Sequence, residues 1–177
     1  MYDRTKGAVR PTGVERPWSE DEFIVTKTDL KGHITYANEV FLRLAQLTEA
    51  QALGKPHNII RHPEMPRCVF KLLWDVLDAR KEIFAFVNNL AMSGDHYWVF
   101  AHVTPSFDSG GQVVAYHSNR RKPRADQITK ISPVYKLLLD EELKHNSPKD
   151  GIEASTALLL KLLKDHGASY DEFVFSL

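Results

Sequence analysis

The sequence predicts an α+β domain: a five-stranded antiparallel sheet with helices on one face, followed by a helical C-terminal extension. Three observations carry this expectation. Two short β-branched stretches, 23–27 and 34–37, flank an Asp/Gly turn. Amphipathic helical sequence follows them. Three longer strand-like stretches then succeed one another between residues 82 and 119, joined by Gly-containing turns. Strands, then helices, then a strand meander give a segregated α+β order. The expected organisation is a mobile arm over 1–17, a sheet-and-helix domain over 18–124 and the helical extension over 125–177.

Each element has a local cause. The arm carries Gly7, Pro11, Gly13 and Pro17 and no periodicity. Phe23 to Lys27 is aromatic and β-branched, hence a strand. Asp29-Leu30-Lys31-Gly32 turns the chain, because Asp bonds its local backbone and Gly takes positive φ. Ile34 to Ala37 returns as the hairpin partner. Asn38 caps a helix over Glu39 to Gln46, with Val40, Phe41 and Leu44 on its apolar face. Thr48-Glu49-Ala50-Gln51 reads as a capping box opening a short helix that stops near Gly54.

The stretch Pro56-His57-Asn58-Ile59-Ile60-Arg61-His62-Pro63-Glu64-Met65-Pro66 interrupts this pattern. Three prolines fix φ and remove N–H donors, so it is a rigid, irregular loop. Polar side chains held on a rigid loop are candidates for function. Pro66 then leads a helix with Val69, Phe70, Leu73, Trp74 and Leu77 on one stripe. Strands follow over Glu82 to Met92, His96 to Thr104 and Gln112 to Asn119, with turns at Ser93-Gly94-Asp95 and Asp108 to Gly111. Beyond Arg124, Ile128, Ile131, Tyr135, Leu138 and Leu139 fit a 3.6-residue period. Ser132-Pro133 reads as an internal cap and restart. Residues 146–151 read as a break before a Leu-rich helix that Gly167 ends. Ser169-x-x-Glu172 opens a last turn carrying Phe173 and Phe175.

Composition narrows the function. Lys+Arg and Asp+Glu are both 23, so bulk attraction to nucleic acid or an anionic membrane is absent. The one basic run, Arg120 to Arg124, reads as a solvated exit from a strand. No apolar run approaches the roughly 18 residues that span a bilayer. Cys68 is the single cysteine, which excludes an intramolecular disulfide and a thiolate cluster and reads as a core residue. A cytoplasmic protein is expected. No Ser/His/Asp order, phosphate loop or paired catalytic carboxylates stand out, so an enzyme is not expected.

A crevice between the sheet and the helices is the expected ligand site. Asn89 is out of place in a strand by propensity and is a candidate hydrogen-bonding residue. Trp74 combines core packing with possible ligand contact. Arg61 has two readings, ligand contact or a brace against Glu64. His57 likewise either faces the ligand or bonds a backbone carbonyl. Tyr97 and Trp98 alternate, one toward the core.

The segments Thr28-Asp29-Leu30, Tyr36-Ala37-Asn38, Gly54-Lys55-Pro56-His57-Asn58, Ile60 to Pro66, Phe70-x-x-x-Trp74 and Ser93 to Val99 together resemble the PAS domain of the bacterial aerotaxis receptor family, which binds FAD. The resemblance runs from about Thr26 to Leu138. It implies a PAS fold and a redox or oxygen sensor that signals through conformational change. By the same resemblance, FAD would meet Asn38, His57, Arg61, His62, Glu64, Phe70, Trp74 and Asn89. The sequence departs from the family at Glu64, where Asp is usual, at Phe84, where Trp is usual, and around Asn89, where Asn88, Leu90 and Ala91 replace basic residues. Two alternatives stand beside FAD: haem b with His62 or another pocket His as axial ligand, or a cofactor-free interaction module. The expected partners are a second copy of the chain and a separate signalling protein.

Overall fold

The computed structural model describes residues 9–177. In chain order the elements are β1 (Ile24–Thr28), β2 (Ile34–Ala37), α1 (Glu39–Ala45), α2 (Glu49–Ala52), a single 3-10 turn (His57–Ile60), α3 (Arg67–Asp78), β3 (Ile83–Leu90), β4 (His96–Phe107), β5 (Val113–Arg121), α4 (Ala125–Leu143), α5 (Pro148–Asp165) and α6 (Tyr170–Phe175). The sheet is antiparallel throughout, in the order β2-β1-β5-β4-β3. The first hairpin therefore docks on the last strand, and β3 is an edge. Among the described residues no helix is long and apolar enough to cross a membrane.

The expected caps are present. Asn38 Oδ1 accepts from Phe41 N at 3.0 Å and from Val25 N at 3.1 Å, while Nδ2 donates to Phe23 O at 2.7 Å. One side chain thus starts α1 and ties it to β1. Thr48 and Gln51 form the capping box of α2. α1 and α2 place Phe41, Leu44, Ala45 and Ala52 in the core beneath the first hairpin.

The edge strand β3 is covered rather than open. Tyr135 of α4 donates to Phe86 O at 2.7 Å. Asn88 N donates to Met65 Sδ at 3.3 Å. The backbone of Arg61 pairs with that of Asn89 as a short bridge. Loop and helix thus occupy hydrogen-bonding positions that could otherwise recruit another strand.

Three local expectations are corrected. Residues 12–16 of the supposed mobile arm are held against the β3–β4 turn: Thr12 N donates to Gly94 O and Arg16 N to His96 O, each at 2.8 Å, and His96 N donates to Val14 O at 2.9 Å. Gly94, at φ +93°, is needed there, because a Cβ would lie 2.1 Å from Arg10 O. Residues 1–8 of the arm lie outside the described residues. Second, α4 runs through Pro133 without restarting. An interior proline costs about 3 kcal/mol of helix stability, but burial of Ile131, Tyr135 and Leu138 on one side overrides it. Ser132 Oγ meanwhile donates to Ile128 O at 2.7 Å. Third, the break after α4 is shorter than expected, because Ser147 caps α5 with Pro148 in its first turn, and Gly151 is helical.

The C-terminal helices join the domain at a buried polar junction. Pro66 offers no side-chain cap to α3. Glu142 of α4 supplies one instead: its Oε1 accepts from Cys68 N at 2.9 Å and from Ser155 Oγ of α5 at 3.1 Å. A carboxylate at a helix N-terminus satisfies an orphan N–H and favours the helix dipole. Cys68 is buried in this core, and burial pushes its thiol up to about 11.

Candidate functional site

A cavity of about 330 Å³ lies between the inner face of the sheet and α3, within the size range of small-molecule sites. The sheet supplies Thr26, Thr28, Val87, Asn89, Ala101, Val103, Tyr116, Ser118 and Arg120. The alternation of strand residues puts these on one face. The opposite wall is the α3 stripe of Phe70, Leu73, Trp74 and Leu77, and His57, Asn58, Ile60 and Arg61 close one end. Trp74 sets the mouth. Its indole lies against Gly32, where a Cβ would approach to 3.1 Å, and meets Tyr116 edge-on at 5.5 Å between centroids. Most of the lining is apolar or aromatic, which suits a flat hydrophobic ring.

The polar end is built around Arg120. The residue is only 7% exposed. Its Nη2 donates to Thr26 Oγ1 at 3.0 Å and to His57 Nε2 at 2.8 Å. His57 Nε2 therefore acts as an acceptor, and its ring is neutral. Burial and the neighbouring Arg120 charge together hold the His57 imidazole down at about 3. Burial likewise lowers Arg120 to about 10, still far above neutrality. Nη1 of Arg120, Nδ2 of Asn89 and Oγ of Ser118 are buried and have no hydrogen-bond partner among the described residues. Buried polar atoms normally find partners. Three lining residues with unanswered polar atoms mark a place where a polar-edged ligand fits.

Five of the eight expected site residues line the cavity: His57, Arg61, Phe70, Trp74 and Asn89. Arg61 has its guanidinium 4.2 Å above the Phe70 ring, and its Nη2 donates to Met65 O at 3.0 Å. Three do not line it. Asn38 is committed to capping α1. His62 is 3% exposed, accepts from Glu64 N through Nδ1 at 3.2 Å, and packs edge-on to His96 at 6.0 Å between centroids. It braces the loop instead of facing the cavity. Burial lowers its pKa, with Glu64 opposing. Glu64 points to solvent, its carboxylate 3.9 Å from His62 Nδ1. Among the described residues the one imidazole lining the cavity is that of His57, whose Nε2 is engaged by Arg120.

Arg120, Thr26, Ser118 and Tyr116 were not expected at the site. The basic run had read as a solvated strand exit, and this is wrong for Arg120: Arg121 is exposed while Arg120 is buried. The signal was strand alternation. Tyr116, Ser118 and Arg120 share one face of β5 and are all buried.

The family model described as PAS fold matches residues 34–120. Residues 34–120 have the PAS fold. Over 122 residues the chain is 34% identical to the aerotaxis receptor of Escherichia coli (strain K12), a match covering 69% of this chain and 24% of the receptor. It is 28% identical over 97 residues to the nitrogen fixation regulatory protein of Klebsiella pneumoniae, covering 55% of this chain and 20% of that protein. The chain thus spans about a quarter or less of these relatives. Among solved structures, the light state of the blue-light photoreceptor Aureochrome1 LOV aligns with a TM-score of 0.53 at 25% identity, covering 69% of this chain and 91% of that one. A light-oxygen-voltage domain described with a flavin analogue aligns at 0.57 and 20% identity, covering 70% and 90%. That second likeness speaks for the fold alone.

Proposed function

We propose that this PAS domain binds a flavin, FAD, between the sheet and α3 and acts as a cytoplasmic redox or oxygen sensor rather than as an enzyme. The observation that carries this reading is the pairing of an aromatic, largely apolar slot with unanswered polar atoms on Asn89, Ser118 and Arg120. A ring system with apolar faces and a hydrogen-bonding rim answers both. Phe70 and Trp74 would line its faces, Asn89 would supply a donor and an acceptor to its rim, and His57 and Arg61 would close the end of the slot. When bound, the flavin supplies reversible electron transfer. The similarity to the aerotaxis receptor, whose family binds FAD, supports the same class of ligand.

The signal would leave through α3. This helix carries the aromatic wall, and its N-terminus is held by Glu142 of α4. A change in the wall would thereby reach the C-terminal helices and, through them, a second copy of the chain or a signalling partner. Purified protein mixed with FAD is expected to be yellow after gel filtration, to bleach with dithionite and to recover in air. Protein that stays colourless after incubation with FAD overturns the reading. If residues 125–177 show the same hydrogen exchange in the oxidised and reduced protein, the signalling route falls.

A further inference from the structure

Among the described residues, the polar end of the cavity buries a cation without an anion. Arg120 donates to a hydroxyl and to a neutral imidazole, the un-ionised Tyr97 phenol is its electrostatic neighbour, and its Nη1 has no partner among the described residues. An uncompensated buried charge is costly. Such an arrangement persists where the missing charge arrives with a ligand. Other groups are better placed for the ordinary structural duties of a cation. Lys122 reaches Trp18 O at 2.8 Å, and Arg124 pairs with Asp126 at 3.0 Å.

The ligand charge could come from two places on a flavin dinucleotide. Its diphosphate is anionic in every redox state. Its ring is neutral when oxidised. Adding two electrons and one proton leaves one negative charge, spread over the N1–C2=O edge. Position on the sheet separates the two. Arg120 is buried on the floor, whereas exposed Lys31 sits at the mouth beside Gly32, where a solvated diphosphate would pass.

We propose that Arg120, held by Thr26 and His57, donates through Nη1 to the N1–C2=O edge of the bound ring and so favours its two-electron-reduced form. This rests on the flavin reading above. Thr26 and His57 act as positioning residues. Each engages Nη2, which leaves Nη1 free for the ligand, and the neutral imidazole adds no second positive charge. A charge-assisted hydrogen bond in a low-dielectric site strengthens as negative charge develops. Arg120 is thus set to bind one redox state more tightly than the other, as a sensor requires.

The test compares wild-type protein with Arg120→Gln and Arg120→Lys, each reconstituted with FAD. The readouts are the midpoint potential by dye equilibration, with dithionite as electron donor, and the dissociation constants for oxidised and reduced FAD. Arg120→Gln is expected to lose affinity for reduced FAD at least tenfold more than for oxidised FAD. That ratio lowers the potential by about 30 mV for a two-electron couple. Arg120→Lys, which keeps the charge but not the fork, should fall between the two. Equal loss for both redox states would place Arg120 on the diphosphate and overturn the assignment. So would an unchanged potential in variants that still bind. Should both variants fail to fold, the Arg120 guanidinium NMR signals of the wild-type protein decide: they must shift on FAD binding and again on reduction, and no shift overturns the proposal. Wild-type protein that binds no flavin defeats the ligand reading itself. Flavin-binding protein whose potential ignores position 120 defeats only the role of Arg120.

Discussion

Two buried charges in this molecule are treated in opposite ways. Glu142, 9% exposed, sits where three helices meet, and its Oε1 accepts from a backbone N–H of α3 and from the Ser155 hydroxyl of α5. Arg120, 7% exposed, keeps one nitrogen without a partner among the described residues, beside a cavity. The first charge is answered by the protein, the second is not. The difference separates a region built for stability from one built for a ligand. A satisfied buried group fixes one arrangement of its neighbours, whereas an unsatisfied one lowers stability until something arrives to pair with it.

The largest expected effect lies on the satisfied side. Glu142→Ala removes a charged acceptor and leaves the Cys68 N–H buried without a partner, a loss of about 3 kcal/mol. It should appear as a lower denaturant midpoint, with Glu142→Gln much closer to wild type because an acceptor oxygen remains. An Ala variant as stable as wild type would remove the contrast between the two regions. Gly151→Ala comes next. Helix propensity alone would make this change stabilising by up to about 1 kcal/mol. Here a Cβ would lie 2.6 Å from Glu142 O, so α4 and α5 must separate. The expected outcome is a loss of about 2 kcal/mol from overpacking, read by thermal or chemical unfolding. A gain would mean the crossing is looser than it looks.

The two regions were not equally legible in the sequence. The strands, the caps at Asn38 and Thr48 and the α3 stripe follow from periodicities and short-range chemistry, and the structure reproduces them. The aromatic wall of the cavity came with the stripe. Of the groups at its polar end, His57 and Asn89 were expected, but Arg120, Thr26 and Ser118 were not, because this end is assembled from β1, β5 and the 3-10 turn, far apart in the chain. Basic neighbours concealed Arg120, although the burial of Tyr116, Ser118 and Arg120 obeys simple alternation. His62 misled in the opposite way. Its place in a polar loop suggested a ligand contact, whereas the imidazole turns back to its own backbone. The Glu142 junction was illegible for a plainer reason: a glutamate on a helix looks solvated until the helix that needs its carboxylate is in place.

On the unsatisfied side the expected sign reverses. Arg120→Met removes the uncompensated cation from flavin-free protein and fills its space with an apolar chain. Stability without ligand should hold or rise by about 1 kcal/mol, because burying a hydrophobe in place of an ion is often favourable. Unfolding of flavin-free protein measures this, and a fall like that of Glu142→Ala would show that Arg120 is an ordinary structural group.

The smallest effect concerns acid. His57 is held near 3 by burial and by Arg120, against about 6.5 in an unfolded chain. Below pH 6.5 the unfolded state binds a proton that the folded state refuses, so stability present above that pH is lost progressively toward pH 3. Between pH 6.5 and 5.5 this amounts to about 1 kcal/mol for one fully shifted histidine, an upper bound for a side chain near a cavity. His62, also lowered by burial, acts in the same direction. Arg120→Met should flatten the dependence, since one of the two causes holding His57 neutral is gone. The measurement is a set of denaturant midpoints across pH 5 to 8 for both proteins. Parallel curves would mean that the guanidinium does not govern His57, and the picture of a neutral imidazole steering Arg120 toward the cavity would lose its footing.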